Sequence, residues 1–245
     1  MRTRADGPGD ASPERETSPE RPYSPTRPPA AGGEPRRIAG LLVLAVSVLA
    51  TACGGGDGTP GGGGGEEPFT VRFRTSAGPV EVEFVPEWSP RAVARVRELA
   101  EMGYWRGARI YRVNEAYAQF GYSGRPGMDS IWIPAGLPDE PTRASNVRGT
   151  VSFARGGPGT RSAILFINRS DNSNLDSLRW MGVIGFPPVG RVVSGMDAVD
   201  DLYGEYGDDP LQWEDSIAAL GNAFLDRVYP DLDSIVDVEV LEDGG

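Results

Sequence analysis

Two neighbouring segments in the first half of the chain alternate apolar and polar residues. They are Phe69–Thr75 and Val80–Phe84, and the short stretch Ser76–Pro79 separates them. A period of two is typical of a strand that buries one face and exposes the other. The pattern therefore predicts a β-hairpin.

A helical pattern follows this hairpin. Ser89 supplies a possible N-cap, Pro90 is a proline suited to a first helical turn, and Gly103 provides an end signal. Between them, apolar residues recur at helical spacing: Val93, Val96, Leu99 and Ala100. We therefore predict a helix between Ser89 and Gly103 with one buried face.

The rest of the chain contains short strand-like runs between Gly- and Pro-rich loops, the longest of these loops being Gly121–Asn146. Six runs are strand-like: Arg109–Asn114, Tyr117–Gly121, Gly149–Ala154, Ala163–Asn168, Gly190–Val193 and Ser234–Leu241. A second, short helix is predicted at Met196–Tyr203. Many short strands without regular strand-helix alternation favour a mainly β barrel or sandwich over a parallel α/β sheet.

The N-terminal part of the chain has a different composition. Residues 1–37 are rich in Pro, Gly, Ser, Arg and Glu, so we expect a disordered leader. The apolar run 38–52 follows a pair of arginines and is 15 residues long, shorter than the roughly 20 residues of a membrane-spanning helix. Basic residues, a short apolar core and small residues in this order are typical of a secretory signal.

Residues 38–53 resemble a bacterial lipoprotein signal, in which Leu and small residues precede a Cys that becomes lipidated. The resemblance implies a lipid on Cys53, a Gly-rich linker over 54–67, a folded domain over 68–245 and an extracytoplasmic, membrane-anchored location. Leu49 stands four residues before Cys53, whereas the lipoprotein pattern usually has three. The alternative is an ordinary signal, or an uncleaved anchor, with an incidental Cys.

The amino-acid composition excludes several kinds of catalytic and metal-binding chemistry. The chain has a net charge of −11, no His and one Cys, and all its basic residues are Arg. The acidic balance argues against nucleic acid or anionic headgroups as partners. A Ser-His-Asp triad, a His-ligated metal, a Schiff-base Lys and an intrachain disulfide are all excluded. We expect no cofactor and no metal, and we interpret the many carboxylates, Asp139-Glu140 and Asp208-Asp209 among them, as solvated surface charge.

Seven short segments then occur in a definite order. They are Ile110-Tyr-Arg-Val113, Ala118-Gln-Phe-Gly121, Gly149–Arg155, Gly157-Pro-Gly-Thr160, Leu165-Phe-Ile-Asn168, Asp171–Asp176 and Gly185–Asp197. This order resembles the cyclophilin-type peptidyl-prolyl isomerases, and the resemblance runs from Phe69 to about Glu242. It implies a closed antiparallel eight-stranded barrel capped by two helices, with the active groove on its outer face.

The resemblance also implies site residues. Arg112 matches the catalytic Arg of the family, and Gln119 matches the Gln that positions it. The proline pocket would be formed by four residues: Tyr117, Phe166, Leu175 and Phe186. Taken singly, each of these has an ordinary structural interpretation, such as a surface charge for Arg112 and a core residue for Phe166.

Three departures from the family pattern bear on substrate choice and catalytic strength. Gln119 follows Arg112 by seven residues where the family has eight, Ile164 replaces a usual groove Gln, and Ser177–Ile184 is an insertion beside the groove. The leading hypothesis is a monomeric prolyl isomerase that acts on Pro-containing segments of exported proteins. The alternatives are a catalytically weak Pro-peptide-binding module or chaperone, and a small-molecule-binding lipoprotein.

Overall fold

Ten β-strands and five α-helices occupy residues 67–241, the part of the chain that the computed structural model describes. The strands are β1 (Phe69–Thr75), β2 (Gly78–Phe84), β3 (Arg112–Val113), β4 (Tyr117–Phe120), β5 (Thr150–Phe153), β6 (Leu165–Asn168), β7 (Arg179–Trp180), β8 (Val183–Ile184), β9 (Pro188–Ser194) and β10 (Ile235–Leu241). The helices are α1 (Pro90–Glu101), α2 (Pro126–Trp132), α3 (Met196–Asp200), α4 (Glu214–Leu220) and α5 (Asn222–Val228). All of these lie within the compact unit Gly58–Gly245.

Eight strands form one antiparallel sheet in the order β10-β1-β2-β9-β5-β6-β4-β3. The mainly β fold is therefore confirmed, but the expectation of a closed barrel is wrong. The sheet is an open half-barrel, with β10 and β3 at its two edges. Because β3 has only two residues, it is too short to complete a ladder with β10. In residues 67–241 a single isolated bridge, Arg109–Ser234, joins the segments beside these edges.

The predicted hairpin and first helix are present and share one core. In β1 and β2 the buried residues alternate with more exposed ones, as the period of two predicts. The apolar stripe of α1 is buried in the same cluster as the inward-facing residues of these strands. Trp105, which follows α1, is fully buried there, and its indole Nε1 donates a 3.0 Å hydrogen bond to the carbonyl of Ala163.

The expectation of two helices is wrong, because residues 67–241 contain five α-helices. The predicted second helix is α3, which is shorter than expected, while α2 lies inside the segment predicted as a loop. Helices α4 and α5 have seven residues each and cover a second apolar cluster. That cluster consists of Tyr111, Tyr122, Ile217, Phe224, Leu225, Tyr229 and Leu232. Elements of about two turns offer too few residues for a clear helical period.

A buried carboxylate, Glu140, links the N-terminus of α1 to the buried side chain of Arg161. Ser89 is the N-cap residue of α1, but its hydroxyl makes no capping hydrogen bond. The amides of Arg91 and Ala92 instead donate to the Glu140 carboxylate, at 2.9 and 3.2 Å. Glu140 also accepts a 3.0 Å bond from Arg161, whose side chain is fully buried. The interpretation of Glu140 as solvated surface charge is therefore wrong, because this carboxylate offsets both a helix N-terminus and a buried guanidinium.

Several sequence expectations concern residues outside 67–241. The leader over 1–37, the signal over 38–53 with Cys53, and most of the linker over 54–67 lie outside the described residues. Among residues 67–241, no helix has both the length and the apolar character needed to cross a membrane.

Candidate active site

A cavity of about 670 Å³ opens beside strands β3, β4 and β6. All six residues that the sequence predicted for the site line it: Arg112, Tyr117, Gln119, Phe166, Leu175 and Phe186. Further lining residues come from the segment 154–164, from the insertion 177–184 and from Glu214 of α4. The fold thus brings together predicted site residues that lie up to 74 positions apart in the sequence, from Arg112 to Phe186.

Strand register explains this convergence. In the β3–β4 ladder Arg112 lies directly opposite Gln119, and in the β4–β6 ladder Gln119 lies opposite Phe166. Tyr117 shares the cavity face with Gln119, whereas Ala118 points to the core and is fully buried. The seven-residue spacing from Arg112 to Gln119 is therefore compatible with a direct cross-strand pair.

The Arg112 guanidinium is held from two sides. Nη1 donates a 3.1 Å hydrogen bond to Oε1 of Gln119, and Nε donates a 2.7 Å bond to Oδ1 of Asp208. The guanidinium carbon lies 4.8 Å from the centroid of the Tyr117 ring, a cation-π contact. The bond from Arg112 lowers the pKa of Asp208, so this carboxylate is charged at neutral pH. Arg112 is thus oriented at the edge of the cavity. Within residues 67–241, no hydrogen bond holds the remaining nitrogen of its guanidinium, Nη2.

Gln119 is fixed by a second, buried chain of hydrogen bonds. Its Nε2 donates to the Tyr111 hydroxyl at 2.7 Å, and that hydroxyl donates to Oε1 of Glu214 at 3.3 Å. Burial raises the pKa of Tyr111 well above its ordinary value, so the phenol keeps its proton. Burial also raises the pKa of Glu214. Because Gln119 gives its amide hydrogen to Tyr111, its carbonyl oxygen is directed towards Arg112.

Aromatic rings form the apolar part of the cavity. The Phe166 ring lies 5.3 Å from the Tyr117 ring and 6.3 Å from the Phe186 ring, both in edge-to-face geometry. Leu175 is buried, and its carbonyl accepts a 3.0 Å hydrogen bond from the amide of Phe186. Only 4% of Phe166 is exposed, so it forms the floor of the cavity. This arrangement provides a dry surface for a small apolar ring.

A polar network fixes the wall that carries Leu175 and Phe186. Asn146 donates from Nδ2 to the Phe186 carbonyl and to Oδ1 of Asp176, each at 2.8 Å. Although burial acts to raise the pKa of Asp176, hydrogen bonds from Ser145 and Asn146 hold it below its ordinary value. Asp176 is therefore a charged acceptor that anchors the wall.

Three residues that support the site were missed by sequence reasoning. Asp208 was interpreted as solvated surface charge, and its side chain is indeed 59% exposed, but it also pairs with Arg112, a contact that the sequence did not indicate. Glu214 and the buried Arg155 carried no local signal, because their roles depend on contacts between distant segments. The guanidinium of Arg155 lies 4.5 Å from the Phe186 ring and 3.5 Å from the Asp139 carboxylate.

Comparisons with known proteins agree with this fold and site. The family model described as cyclophilin type peptidyl-prolyl cis-trans isomerase/CLD matches residues 70–220. A probable peptidyl-prolyl cis-trans isomerase of Brucella abortus is 31% identical over 146 residues, which cover 54% of this chain and 70% of that protein. A peptidyl-prolyl cis-trans isomerase of Acinetobacter baylyi is 26% identical over 134 residues, with the same two coverages of 54% and 70%.

A solved structure shows the same fold at low sequence identity. The crystal structure of a cyclophilin type peptidyl-prolyl cis-trans isomerase of Cryptosporidium parvum aligns with a TM-score of 0.51 and 16% identity, covering 72% of this chain and 99% of that one. A second structure of that protein was obtained in the presence of the dipeptide Ala-Pro.

The open β half-barrel, with a cavity at its side whose floor is aromatic, is a cyclophilin fold. The chain belongs to the cyclophilin-type peptidyl-prolyl cis-trans isomerase family. Its named relatives support an isomerase enzyme.

Proposed function

We propose that the chain accelerates cis-trans rotation of X-Pro bonds in the cavity above Phe166, with Arg112 as the hydrogen-bond donor. The observation that carries this proposal is the double restraint of Arg112 by Gln119 and Asp208 at the edge of an aromatic pocket. A residue held in this way is pre-oriented, which is the condition for electrostatic stabilisation of a transition state.

The chemistry requires little else. Resonance gives the peptide bond double-bond character and a rotational barrier of roughly 18–20 kcal/mol. In the twisted state the lone pair localises on the imide nitrogen, which then accepts a hydrogen bond from Arg112. Tyr117, Phe166, Leu175 and Phe186 hold the proline ring away from water. No proton transfer and no covalent intermediate is needed, which suits a site without His, Lys or Cys.

The substrates are Pro-containing polypeptide segments. The dipeptide Ala-Pro used with the Cryptosporidium parvum relative supports this class, although that relative shares only the fold at 16% identity. The cavity is an open groove between the 154–164 segment and the Leu175–Phe186 wall. An open groove admits a chain that continues on both sides of the proline. Separately, we expect the protein to act as a monomer.

Exchange spectroscopy on a short X-Pro peptide tests the proposed function. With the 245-residue chain at a small fraction of the peptide concentration, we expect accelerated cis-trans exchange, seen as exchange cross-peaks or broadened proline resonances. Chemical-shift changes without acceleration would instead support a Pro-peptide-binding module or chaperone. One observation favours that alternative, namely that Ile164 places an apolar side chain in the cavity lining.

The cellular location is a further part of the proposal. The basic, apolar and small-residue order before Cys53 supports export and lipid attachment at this residue, with clients among exported proteins. Substitution Cys53→Ser should move the protein to the soluble fraction or leave an unprocessed precursor, as measured by cell fractionation and mass spectrometry. Mature protein that is processed like the wild type and stays in the membrane pellet of the variant would contradict anchoring through Cys53.

A further inference from the structure

The insertion 177–184 forms a small antiparallel hairpin at the rim of the cavity. Strands β7 and β8 pair Arg179 with Ile184 and Trp180 with Val183. Residues Met181 and Gly182 make the two-residue turn, with φ of 49° and 93°. Positive φ at both central positions is typical of a type I′ turn, whose twist matches the flanking strands. We call residues 177–184 the insertion hairpin.

The insertion hairpin presents large apolar side chains to solvent. Leu178, Trp180, Met181 and Ile184 are exposed to 38%, 48%, 68% and 53%. Met181 is also the one non-glycine residue with positive φ in residues 67–241. Asn, Asp or Gly would suit this turn position better, so local turn geometry does not account for an apolar Met there. Apolar surface concentrated in one short hairpin beside a cavity is typical of an interaction site.

The two faces of the insertion hairpin differ in their position relative to the cavity. Leu178 and Trp180 lie on the same face, two residues apart, and both line the cavity that contains Arg112 and Phe166. Ile184 lies on the other face, opposite Arg179, and is not part of the cavity lining. The inward face is therefore continuous with the proline pocket, and the outward face offers an internal control.

The base of the insertion hairpin is held firmly. The amide of Gly185 donates to the Leu178 carbonyl at 3.0 Å, and the Gly185 carbonyl accepts a hydrogen bond from the buried Arg155. At the other end, Cβ of Met181 lies 3.8 Å from the position that a Cβ on Gly157 would occupy. The inward face is thus pre-positioned beside the pocket, which reduces the entropy lost on binding.

We propose that the inward face of the insertion hairpin, Leu178 and Trp180, is a subsite for a large apolar side chain of the same polypeptide whose proline occupies the pocket above Phe166. This inference rests on the proposed function and names its substrate class, X-Pro segments that carry an aromatic or aliphatic residue close to the proline. Such segments are buried in folded proteins and accessible in unfolded ones. A second copy of this chain is a poorer occupant, because a stable interface needs roughly 20–30 residues a side and the insertion hairpin has eight.

The test compares peptides that differ in one flanking side chain. Six-residue peptides with a central Ala-Pro carry either Phe or Ser at one of the two positions before or after this pair, and the 245-residue chain is assayed for both exchange rate and affinity. At one or more positions we expect Phe to be preferred over Ser by about fivefold to tenfold, as burial of part of an aromatic side chain predicts. The preference should fall to less than twofold in Trp180→Ala and persist in the matched control Ile184→Ala.

Each outcome separates the inference from the proposed function. Accelerated exchange without a Phe preference at any position, or a preference that survives Trp180→Ala, would overturn the subsite and leave the isomerase proposal intact. A Phe preference in affinity alone, lost in Trp180→Ala but with no accelerated exchange, would support the subsite and reject the isomerase activity. Self-association that Trp180→Ala abolishes, with no peptide preference, would assign the face to a second copy and overturn the inference.

Discussion

Substitution Arg112→Ala should lower kcat/KM for X-Pro exchange by about tenfold to hundredfold while the fold survives. A thousandfold acceleration corresponds to a barrier reduction of about 4 kcal/mol, and a charge-assisted hydrogen bond contributes about 1.5–3 kcal/mol net. Loss of this one donor therefore removes about half of the effect, and the apolar pocket retains the rest. Exchange spectroscopy gives the rate, and thermal unfolding shows whether the variant is folded.

Two further variants make the Arg112 result specific. Arg112→Lys should recover little activity, because an ammonium lacks the planar fork that Gln119 and Asp208 orient through two different nitrogens. Arg74→Ala removes an exposed Arg on β1 and should leave exchange unchanged. Stability should change by no more than about 1 kcal/mol in Arg112→Ala, since its ion pair with Asp208 is at the surface. Wild-type exchange rates in both folded Arg112 variants would refute Arg112 as the donor.

The elements that local pattern controls could be predicted from the sequence. The β1–β2 hairpin and α1 follow from alternation and helical spacing, and their observed bounds lie close to the predicted ones. The positions of the six site residues came from the order of family segments, and the strand registers bring those residues into one cavity. The resemblance supplied these positions, because each residue taken singly has an ordinary structural interpretation.

The contacts that depend on distant segments could not be predicted. Asp208 reaches Arg112 from 96 residues away in sequence, and Glu214 reaches Tyr111 from 103 residues away. A carboxylate in an acidic, Gly-rich segment has the same local signature whether it is solvated or paired. The prediction of a closed barrel failed for a related reason. Closure requires the two edge strands, β10 and β3, to pair along their length, and β3 has only two residues. Such features are fixed by tertiary packing.

The supporting residues change how the site is understood. Arg112 and Gln119 form a pair on an edge strand and its neighbour, and an edge strand of two residues is a weak scaffold by itself. Asp208, in the segment that precedes α4, holds Arg112. Glu214, the first residue of α4, holds Tyr111, which in turn holds Gln119. The segment 208–214, which leads into α4, therefore supports the open edge of the sheet beside the site.

Substitution Phe166→Ala should reduce peptide affinity and kcat/KM together, each by about tenfold to hundredfold. Phe166 forms the cavity floor between the Tyr117 and Phe186 rings, and truncation of a central aromatic anchor at a binding site costs about 2 kcal/mol or more. The same change also creates a cavity, which destabilises a fold by up to about 3–5 kcal/mol. Thermal unfolding must therefore accompany the titration and exchange measurements.

A matched pair of conservative variants separates binding from stability. Phe166 and Phe120 are both 4% exposed, but Phe120 packs in the inner core against Phe73 and Trp105. Phe166→Leu and Phe120→Leu should lose similar stability, about 1.5 kcal/mol or less for swaps that retain most of the apolar volume. Only Phe166→Leu should weaken peptide binding, because only Phe166 faces the pocket. Equal affinity in the two variants would assign Phe166 to the core alone and would remove the pocket floor from the mechanism.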